Sequence, residues 1–287
     1  MCDCFFATDL HGRPDRYEKL FAAVEEQRPA ILFLGGDLLP CYLAAPRSGG
    51  PVREDFVNNY LIAKFQLLKK KLAGHYPRVF VILGNDDPRF EEASILGGEK
   101  AGVWRYLHNR RVAYGDFTFR GYAFVPPTPF LLKDWERYDV SRYVDPGCIP
   151  PTLGNRTVPV PADEAEYATI KEDLKDMTGS ADLSKSVFLF HAPPYRTSLD
   201  RADLDGKMFD HAPLDVNVGS IAVKRFIEER QPYITLHGHV HESCRLTGSW
   251  MEKTGRTFSF SAAHDGEELA IVKFKLSDPR GAERALL

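Results

Sequence analysis

Residues 30–37 read AILFLGGD, an apolar run that ends in a glycine turn followed by an aspartate. Two similar runs, at residues 5–8 and 79–83, also end in loops that carry Gly or Asp. Short runs of this kind are typical of strands buried on both faces. Helical periodicity separates them, over residues 14–28 and 54–73. The resulting β-α-β-α-β order predicts an α/β fold with parallel strands and right-handed crossovers.

The second half of the chain follows a different pattern. Residues 126–161 hold 8 of the 20 prolines, so regular core structure is not expected there. We interpret this stretch as a Pro- and aromatic-rich insertion over one face of a single domain spanning residues 1–287. The other predicted elements are a strand at 117–125, a helix at 162–178, a strand at 187–190, a loop at 192–216, a helix at 220–230, a strand at 233–236, and antiparallel strands near 244–247, 257–261 and 269–276.

The composition is that of a globular protein. The chain has 287 residues and a formal net charge of −3, and no apolar run approaches the roughly 20 residues of a membrane span. Its first residues do not resemble a signal peptide. Five cysteines without a Cys-x-x-Cys pair indicate reduced thiols. Cys2 and Cys4 could face one metal, although buried strand positions are the simpler interpretation. We expect a cytoplasmic protein that binds neither membranes nor nucleic acid, since the broad basic surface of a nucleic-acid binder is missing.

Polar side chains with metal-binding chemistry follow the predicted strands. Residues two apart point the same way in an extended chain, so Asp-x-His at 9–11 and His-x-His at 239–241 can each present two side chains to one site. The carboxyl ends of parallel strands are where α/β sites form. Imidazole and carboxylate together suit Zn, Mn, Fe or Co better than Ca or Mg. The candidate ligands of two adjacent metals are Asp9, His11, Asp37, Asn85, His191, His239 and His241.

Each motif alone has a simpler explanation, such as a turn or a core histidine, but five in this order are hard to assign to chance. Together they resemble the calcineurin-like metallophosphoesterase superfamily, whose pattern is Asp-x-His, Gly-Asp, Gly-Asn-His-Asp/Glu, His and Gly-His-x-His. The resemblance covers residues 9–241. The segments HAPPY at 191–195 and LHGHVHES at 236–243 are similar to the small phosphoesterases of its bacterial and archaeal branch.

The resemblance implies a four-layer αββα sandwich of two mixed β-sheets flanked by helices, the metallo-dependent phosphatase fold. It places Asp9, His11 and His241 on a first ion. It places Asn85, His191 and His239 on a second, with Asp37 bridging the two. The ions are expected to be Mn, with Fe, Zn or Co as alternatives. The implied reaction is attack on phosphorus by a metal-bridging hydroxide. The residues expected to take part in catalysis are Asp37, Asn85, Asp86 and His237.

One position departs from the family pattern. The commonest third motif has His after Asn, where this chain has Asp86. A carboxylate beside two cations stays ionised and is a poor acid at neutral pH. Asp86 could instead orient a ligand histidine, and Asp87 is predicted to cap the following helix. Three consequences stay open: a leaving group that needs no acid, slow turnover, or proton donation by one of His211, His237 and His264.

These observations favour an enzyme that hydrolyses a small phosphodiester, phosphomonoester or nucleotide. A protein phosphatase is a weaker alternative, because the histidine after Asn85 is missing and the chain is short. A non-catalytic protein-binding scaffold on the same fold is a third hypothesis. It predicts a degraded metal site, whereas all seven ligand positions are present here. The sequence leaves the oligomeric state unknown. Residues 126–161 either cover a sheet edge as a packed loop or form a lid in which substrate faces Lys133, Trp135, Arg137 and Arg142.

Overall fold

The computed structural model of the protein describes residues 3–41 and 55–287. Within these residues the strands are β1 (Asp3–Ala7), β2 (Ile31–Gly35), β3 (Arg78–Ile82), β4 (Arg105–Tyr106), β5 (Arg111–Tyr114), β6 (Phe117–Tyr122), β7 (Ser186–Phe190), β8 (Met208–Phe209), β9 (Ala212–Pro213), β10 (Ile234–His237), β11 (Met251–Thr254), β12 (Thr257–Ser261), β13 (Ala270–Lys275) and β14 (Asp278–Leu286). The α-helices are α1 (Pro14–Gln27), α2 (Ala63–Leu72), α3 (Glu92–Lys100), α4 (Ala162–Tyr167), α5 (Ile170–Thr178), α6 (Ile221–Arg230) and α7 (Ser243–Thr247). A π-helical segment, Val57–Ile62, leads into α2, and 3-10 turns occupy Ala73–His75 and Arg89–Glu91.

Two six-stranded mixed sheets form the centre of the fold. In the first sheet the order is β14-β13-β1-β2-β3-β4, and β1 to β4 run parallel. In the second sheet the order is β11-β12-β10-β7-β6-β5, and β12, β10, β7 and β6 run parallel. Helices flank the pair of sheets, so the predicted β-α-β-α-β series and the four-layer αββα sandwich are confirmed. The small strands β8 and β9 form a separate hairpin.

The sheets pack face to face because their strands are apolar on both faces. In β2, Ile31 and Phe33 belong to a core that the two sheets share, whereas Leu32 and Leu34 belong to the core beneath the helices. The ring of Phe33 lies 5.2 Å from that of Phe119 in the opposite sheet. Alternation along each strand therefore supplies both layers of the core. Because the central strands are parallel, their carboxyl ends meet at one edge of each sheet.

Several elements differ from the pattern that the sequence predicts. The segment at 244–247, predicted as a strand, is helix α7, which ends at Gly248 in a left-handed conformation. The helix predicted over 162–178 is two helices, because Ala168 is extended between α4 and α5. Strand β12, predicted as antiparallel, is antiparallel to β11 but parallel to β10. The sequence pattern does not predict strands β4, β5, β8, β9, β11 and β14.

The insertion at 126–161 packs against the rest of the fold, with some of its charged side chains buried. Lys133 is fully buried in an ion pair, and Trp135 is also fully buried. Arg137 and Arg142 form ion pairs with acidic residues of α4 and α5. The contacts agree with the packed-loop hypothesis. They do not support a lid that turns these four side chains toward a substrate.

Two further expectations concern cysteines and membranes. Cys4 lies in the core between the sheets, which agrees with a buried strand position, and Cys2 lies outside the described residues. No helix in the described part of the chain has the length and apolar character that a bilayer crossing requires.

Candidate metal centre

The seven candidate ligands lie in the loops that directly follow β1, β2, β3, β7 and β10. Four of them have a left-handed backbone, with φ of 56° at Asp9, 49° at His11, 51° at Asp37 and 75° at His239. Residues with a Cβ rarely adopt this conformation, and they keep it only where the surrounding structure holds them. The premise that each His or Asp pair continues an extended strand is therefore wrong. The pairs turn toward the site because the chain coils tightly there.

The first group of donors contains Asp9, His11, Asp37 and His241, whose ligand atoms all lie within 4.8 Å of one another. Nε2 of His11 lies 3.1 Å from Nε2 of His241. That nitrogen of His241 also lies 3.3 Å from Oδ1 of Asp9. Two imidazole nitrogens and a carboxylate oxygen thus converge on one point, as the ligands of a transition metal do.

The second group contains Asp37, His191 and His239. Nε2 of His191 lies 3.2 Å from Oδ2 of Asp37 and 3.1 Å from Oδ1 of Asn85. Nδ1 of His191 lies 2.8 Å from the carbonyl oxygen of Gly35. A proton on Nδ1 would donate to that carbonyl, which leaves Nε2 free to bind a metal. Asp37 belongs to both groups.

Charge interactions hold protons on two of the imidazoles when no metal is bound. Burial lowers the pKa of His191, but the carboxylate of Asp37 outweighs it and raises that pKa to about 10. In the same way, Asp9 overcomes burial and raises the pKa of His241 to about 9. Burial and the charge of His191 lower the pKa of His239 to about 3. A divalent ion in each group would replace these protons as the partner of the carboxylates.

Glycines allow the loops to approach the ligands closely. A Cβ on Gly84 would lie 2.6 Å from Nε2 of His191, and a Cβ on Gly238 would lie 2.8 Å from Oδ2 of Asp9. No side chain fits at such distances without a shift of the ligand itself. These two positions therefore require glycine because of space.

Asp86 lies beside the first group. Its Oδ2 is 3.6 Å from Nδ1 of His11, and its backbone N–H donates to Oδ1 of Asp37 at 2.8 Å. Burial and the charge of Asp37 raise the pKa of Asp86 to about 7. Two divalent ions would oppose this shift. The carboxylate is placed to contact His11, as the orienting hypothesis requires.

The side chain of His237 is enclosed by the protein and does not reach solvent. It is fully buried, its Nδ1 lies 2.8 Å from the carbonyl oxygen of Ala192, and its Nε2 lies 2.8 Å from Oγ1 of Thr235. Burial lowers its pKa to about 4. Both ring nitrogens are thus engaged, and these contacts give no support to proton transfer by His237. Of the other two unassigned histidines, His211 is exposed, and His264 contacts Glu268 at 3.1 Å.

The sequence motifs do not predict the roles of two supporting residues: Asp87, at the last position of the third motif, and Arg16, which lies in none of the motifs. Asp87 does not cap a helix; it is fully buried and accepts backbone N–H groups of Leu38, Leu39 and Gly84 at 3.2, 2.7 and 2.9 Å. Arg16 of α1 donates to the carbonyl oxygen of Asp9 at 2.6 Å. An acid three residues after a turn glycine is a signal for such bonds, whereas nothing in the sequence marks Arg16.

The donor set fits two divalent transition-metal ions. Buried carboxylates share the site with imidazoles that can bind metal in their neutral form. The Nε2 atoms of His11 and His241 face one another at 3.1 Å. Such an arrangement of like donors needs a cation or a shared proton between them. The residues would hold the ions in two neighbouring positions with Asp37 between them.

Comparisons with known proteins agree with this geometry. The family profile described as calcineurin-like phosphoesterase matches residues 5–243. No curated protein matches the chain.

Three solved structures share the fold at low sequence identity. One aligns with a TM-score of 0.62 and 17% identity, and covers 99% of this chain and 98% of the other. The protein TT1561 of Thermus thermophilus aligns with a TM-score of 0.56 and 15% identity, over 99% and 98% of the two chains. A dimetal phosphatase from Danio rerio aligns with a TM-score of 0.50 and 11% identity, over 94% and 91%.

Proposed function

The chain belongs to the calcineurin-like phosphoesterase family, and we propose that it is a two-metal hydrolase of small phosphodiesters, phosphomonoesters or nucleotides. The observation that carries the proposal is the position of Asp37, which belongs to both groups of candidate ligands. A carboxylate shared by two cation positions holds the ions close together. Adjacent ions are the arrangement that phosphoryl chemistry uses.

Each group supplies a distinct ligand set in this proposal. Asp37 belongs to both sets. The first ion is held by Asp9, His11 and His241, and the second by Asn85, His191 and His239. Imidazole and carboxylate together favour Mn, with Fe, Zn or Co as alternatives.

Two bound cations would make the site attractive to phosphate. Asp9 and Asp37 contribute two negative charges, and the other ligands are neutral once metal replaces their protons. Two divalent ions would therefore leave a net positive site in a chain whose total charge is −3. When bound, the ions would polarise phosphoryl oxygens and lower the pKa of a water molecule.

We assign positioning roles to Asp86 and His237. Asp86 contacts His11 and holds the neighbouring Asp37 through its backbone N–H. His237 fixes the end of β10 through its bonds to Ala192 and Thr235, just before the turn that carries His239. Neither offers a proton to a leaving group in this proposal. We therefore expect substrates with good leaving groups, such as aryl esters or phosphoanhydrides.

The non-catalytic scaffold and the protein phosphatase are the competing hypotheses. A scaffold has no use for seven converging candidate ligands, four of which keep a left-handed backbone. A protein phosphatase needs room for a peptide, and no observation on the described residues favours that substrate.

The deciding experiment uses metal-stripped protein reconstituted with Mn²⁺. Its hydrolysis of 4-nitrophenyl phosphate and of bis(4-nitrophenyl) phosphate is compared with that of Asp37→Asn. The matched control is Asp116→Asn, whose side chain is 81% exposed. We expect metal-dependent turnover that falls by at least about 10³-fold in Asp37→Asn and is unchanged in the control. Protein that binds neither metal nor either ester would favour the scaffold hypothesis.

A further inference from the structure

A cavity of about 200 Å³ lies between the insertion and the loop that follows His191. None of the seven candidate metal ligands lines it. Its walls are mainly apolar and come from Pro126–Pro127 and the 139–148 segment on one side, and from the segment between Tyr195 and Ile221 on the other. A cavity of about 150 Å³ holds a benzene ring, so this one has room for a single substituted ring.

The walls are fixed by hydrogen bonds and therefore form the cavity before any ligand arrives. Asp139 accepts the hydroxyl of Ser220 at 2.5 Å and the N–H of Ile221 at 2.6 Å, which joins the insertion to α6. Asp200 accepts the N–H groups of Thr197 and Gly219 at 2.8 and 3.1 Å. A pocket formed in advance loses less entropy when a ligand binds.

The charged groups of the cavity are acidic, and its neutral polar groups include Ser141 and Asn217. Among the described residues its lining contains no Lys, Arg or His. It contains three carboxylates: Asp139 is bonded to Ser220 and Ile221, and the other two are Asp145 and Asp215. The hydroxyl of Tyr195 donates to Asp215 at 2.5 Å, which turns the ring edge toward the acids. Burial and the charge of Asp215 raise the pKa of Asp145. Burial and then Asp145 raise the pKa of the Cys148 thiol to about 11. Burial is the larger cause of both shifts, and the neighbouring carboxylate adds to each.

The cavity lies on the sheet edge that carries the candidate metal ligands. Strands β6 and β7 are parallel neighbours, so their carboxyl ends point the same way. The chain leaving β6 reaches Pro126 in one wall, and the chain leaving β7 passes His191 and reaches Tyr195 in the other. The cavity and His191 thus follow neighbouring strands at the same edge of the second sheet.

We propose that this cavity is a specificity subsite for a compact apolar group that carries an ammonium, attached to the phosphate ester that the metal centre hydrolyses. The apolar walls and the aromatic rings of Tyr143 and Tyr195 contact the hydrocarbon part. The carboxylates of Asp145 and Asp215 attract the cation and repel a second anionic group. The assignment rests on the proposed function and narrows its substrate class, since it disfavours polyphosphate tails and carboxylates.

The binding arm of the test uses metal-free protein and three probes with one ring and different charges. Benzylamine, benzyl alcohol and benzoate are titrated separately, and binding is followed by nuclear magnetic resonance of the cavity residues. We expect benzylamine to bind about tenfold more tightly than benzoate, with benzyl alcohol between them. Equal binding of all three, or tightest binding of benzoate, would overturn the assignment.

Two variants test the carboxylate charge and the cavity volume separately. Asp145→Asn removes one of the lining charges, and we expect it to weaken binding of benzylamine by about two- to fivefold without weakening binding of benzyl alcohol. Asp176→Asn, on the exposed side of α5, is the matched control and should leave both unchanged. Val218→Trp fills the cavity and should abolish binding of both probes while the thermal midpoint shows that the chain is folded. Unaltered binding in Val218→Trp would place the probes elsewhere and refute the proposal.

A kinetic arm links the cavity to the reaction. With Mn²⁺ present, 4-(aminomethyl)phenyl phosphate is compared with 4-carboxyphenyl phosphate and with unsubstituted phenyl phosphate. We expect the lowest KM for the aminomethyl ester, and a loss of that preference in Asp145→Asn. Hydrolysis of phenyl phosphate without any preference would refute the subsite and leave the phosphoesterase intact. Probe binding without hydrolysis of any ester would refute the proposed function instead.

Discussion

Two imidazoles of the candidate metal centre carry protons when no metal is bound. The neighbouring carboxylates raise the pKa of His191 to about 10 and that of His241 to about 9. Metals bind neutral imidazole, so each of these protons must leave when an ion enters. At the residue scale, metal affinity is therefore linked to pH.

We predict that binding of Mn²⁺ at pH 7.5 releases about two protons per chain. The apparent affinity for Mn²⁺ rises with pH until the two imidazoles lose their protons without metal, near pH 9 for His241 and near pH 10 for His191. Calorimetry in two buffers of different ionisation enthalpy measures the release. His241→Gln should release about one proton fewer. An identical heat in both buffers would contradict the prediction.

Asp87 gives the second prediction at this scale. It is fully buried and accepts three backbone N–H groups from the loops after β2 and β3. Asp87→Ala leaves these donors without a partner, and we expect a loss of about 3 kcal/mol in the free energy of unfolding. Urea denaturation of metal-free protein measures it. Exposed Asp116→Ala is the control and should change stability by less than about 0.5 kcal/mol. A loss at Asp87 no larger than the control's would show that the bonds contribute little.

The convergence of the candidate ligands could be predicted from sequence, but the surroundings of their neighbours could not. Asp9, Asp37 and His191 each follow an apolar run, so strand ends locate them. His237 carries the same signal, yet its ring turns into the core and bonds to Ala192 and Thr235. The expectation that residues two apart point the same way fails here because the chain is no longer extended beyond β10, where His239 has φ of 75°. Side-chain direction at such turns depends on tertiary contacts that a sequence does not display.

At the scale of elements, one carboxylate joins the insertion to a helix. Asp139 accepts the N–H of Ile221 and the hydroxyl of Ser220 at the start of α6, while Ser220 accepts the N–H of Val223 at 3.0 Å. The negative charge also suits the positive end of the helix. This contact makes the insertion part of the packed structure.

We predict that Asp139→Ala lowers the free energy of unfolding by about 2 kcal/mol, because a helix cap and a buried hydrogen bond are lost together. Hydrogen exchange should quicken in the 126–148 segment and in the first turn of α6, and remain slow in β1 and β2. Asp163→Ala, an exposed acid in the first turn of α4, is the control. Uniformly faster exchange across both sheets would mean that the contact supports the whole fold rather than this junction.

Most of the strands that the sequence pattern misses lie at sheet edges. The outermost strands of the two six-stranded sheets are β4, β5, β11 and β14, and the other missed strands, β8 and β9, form the separate hairpin. Edge strands are commonly charged and half-exposed, and β14 reads DPRGAERAL with mostly exposed positions. They lack the apolar run by which a central strand is recognised, so their pairing is set by the neighbouring strand. The central strands, buried on both faces, are predictable for the opposite reason.

The whole molecule brings together ligands from both sheets. Asp9, His11, Asp37 and Asn85 follow strands of the first sheet, and His191, His239 and His241 follow strands of the second. Between the sheets, Phe33 contacts Phe119 across the shared core. The candidate metal centre therefore forms only when the sheets are packed, and unfolding of either sheet would separate the two groups of candidate ligands.

Metal binding should accordingly stabilise the entire fold. At free Mn²⁺ of about 100 times its Kd, we expect the free energy of unfolding to rise by about 2.7 kcal/mol for one site. The urea unfolding midpoint measured by tryptophan fluorescence and the midpoint measured by far-UV circular dichroism should rise together. Asp37→Asn should lose most of the shift, because its side chain belongs to both ligand groups, whereas Asp116→Asn should keep it. Tight binding of Mn²⁺ without a change in the urea midpoints would mean that the ions also bind the unfolded chain, or that their site is formed by one sheet alone. If the midpoints of the two probes differ, unfolding is not a single cooperative step, and the prediction that metal stabilises the entire fold as one unit fails.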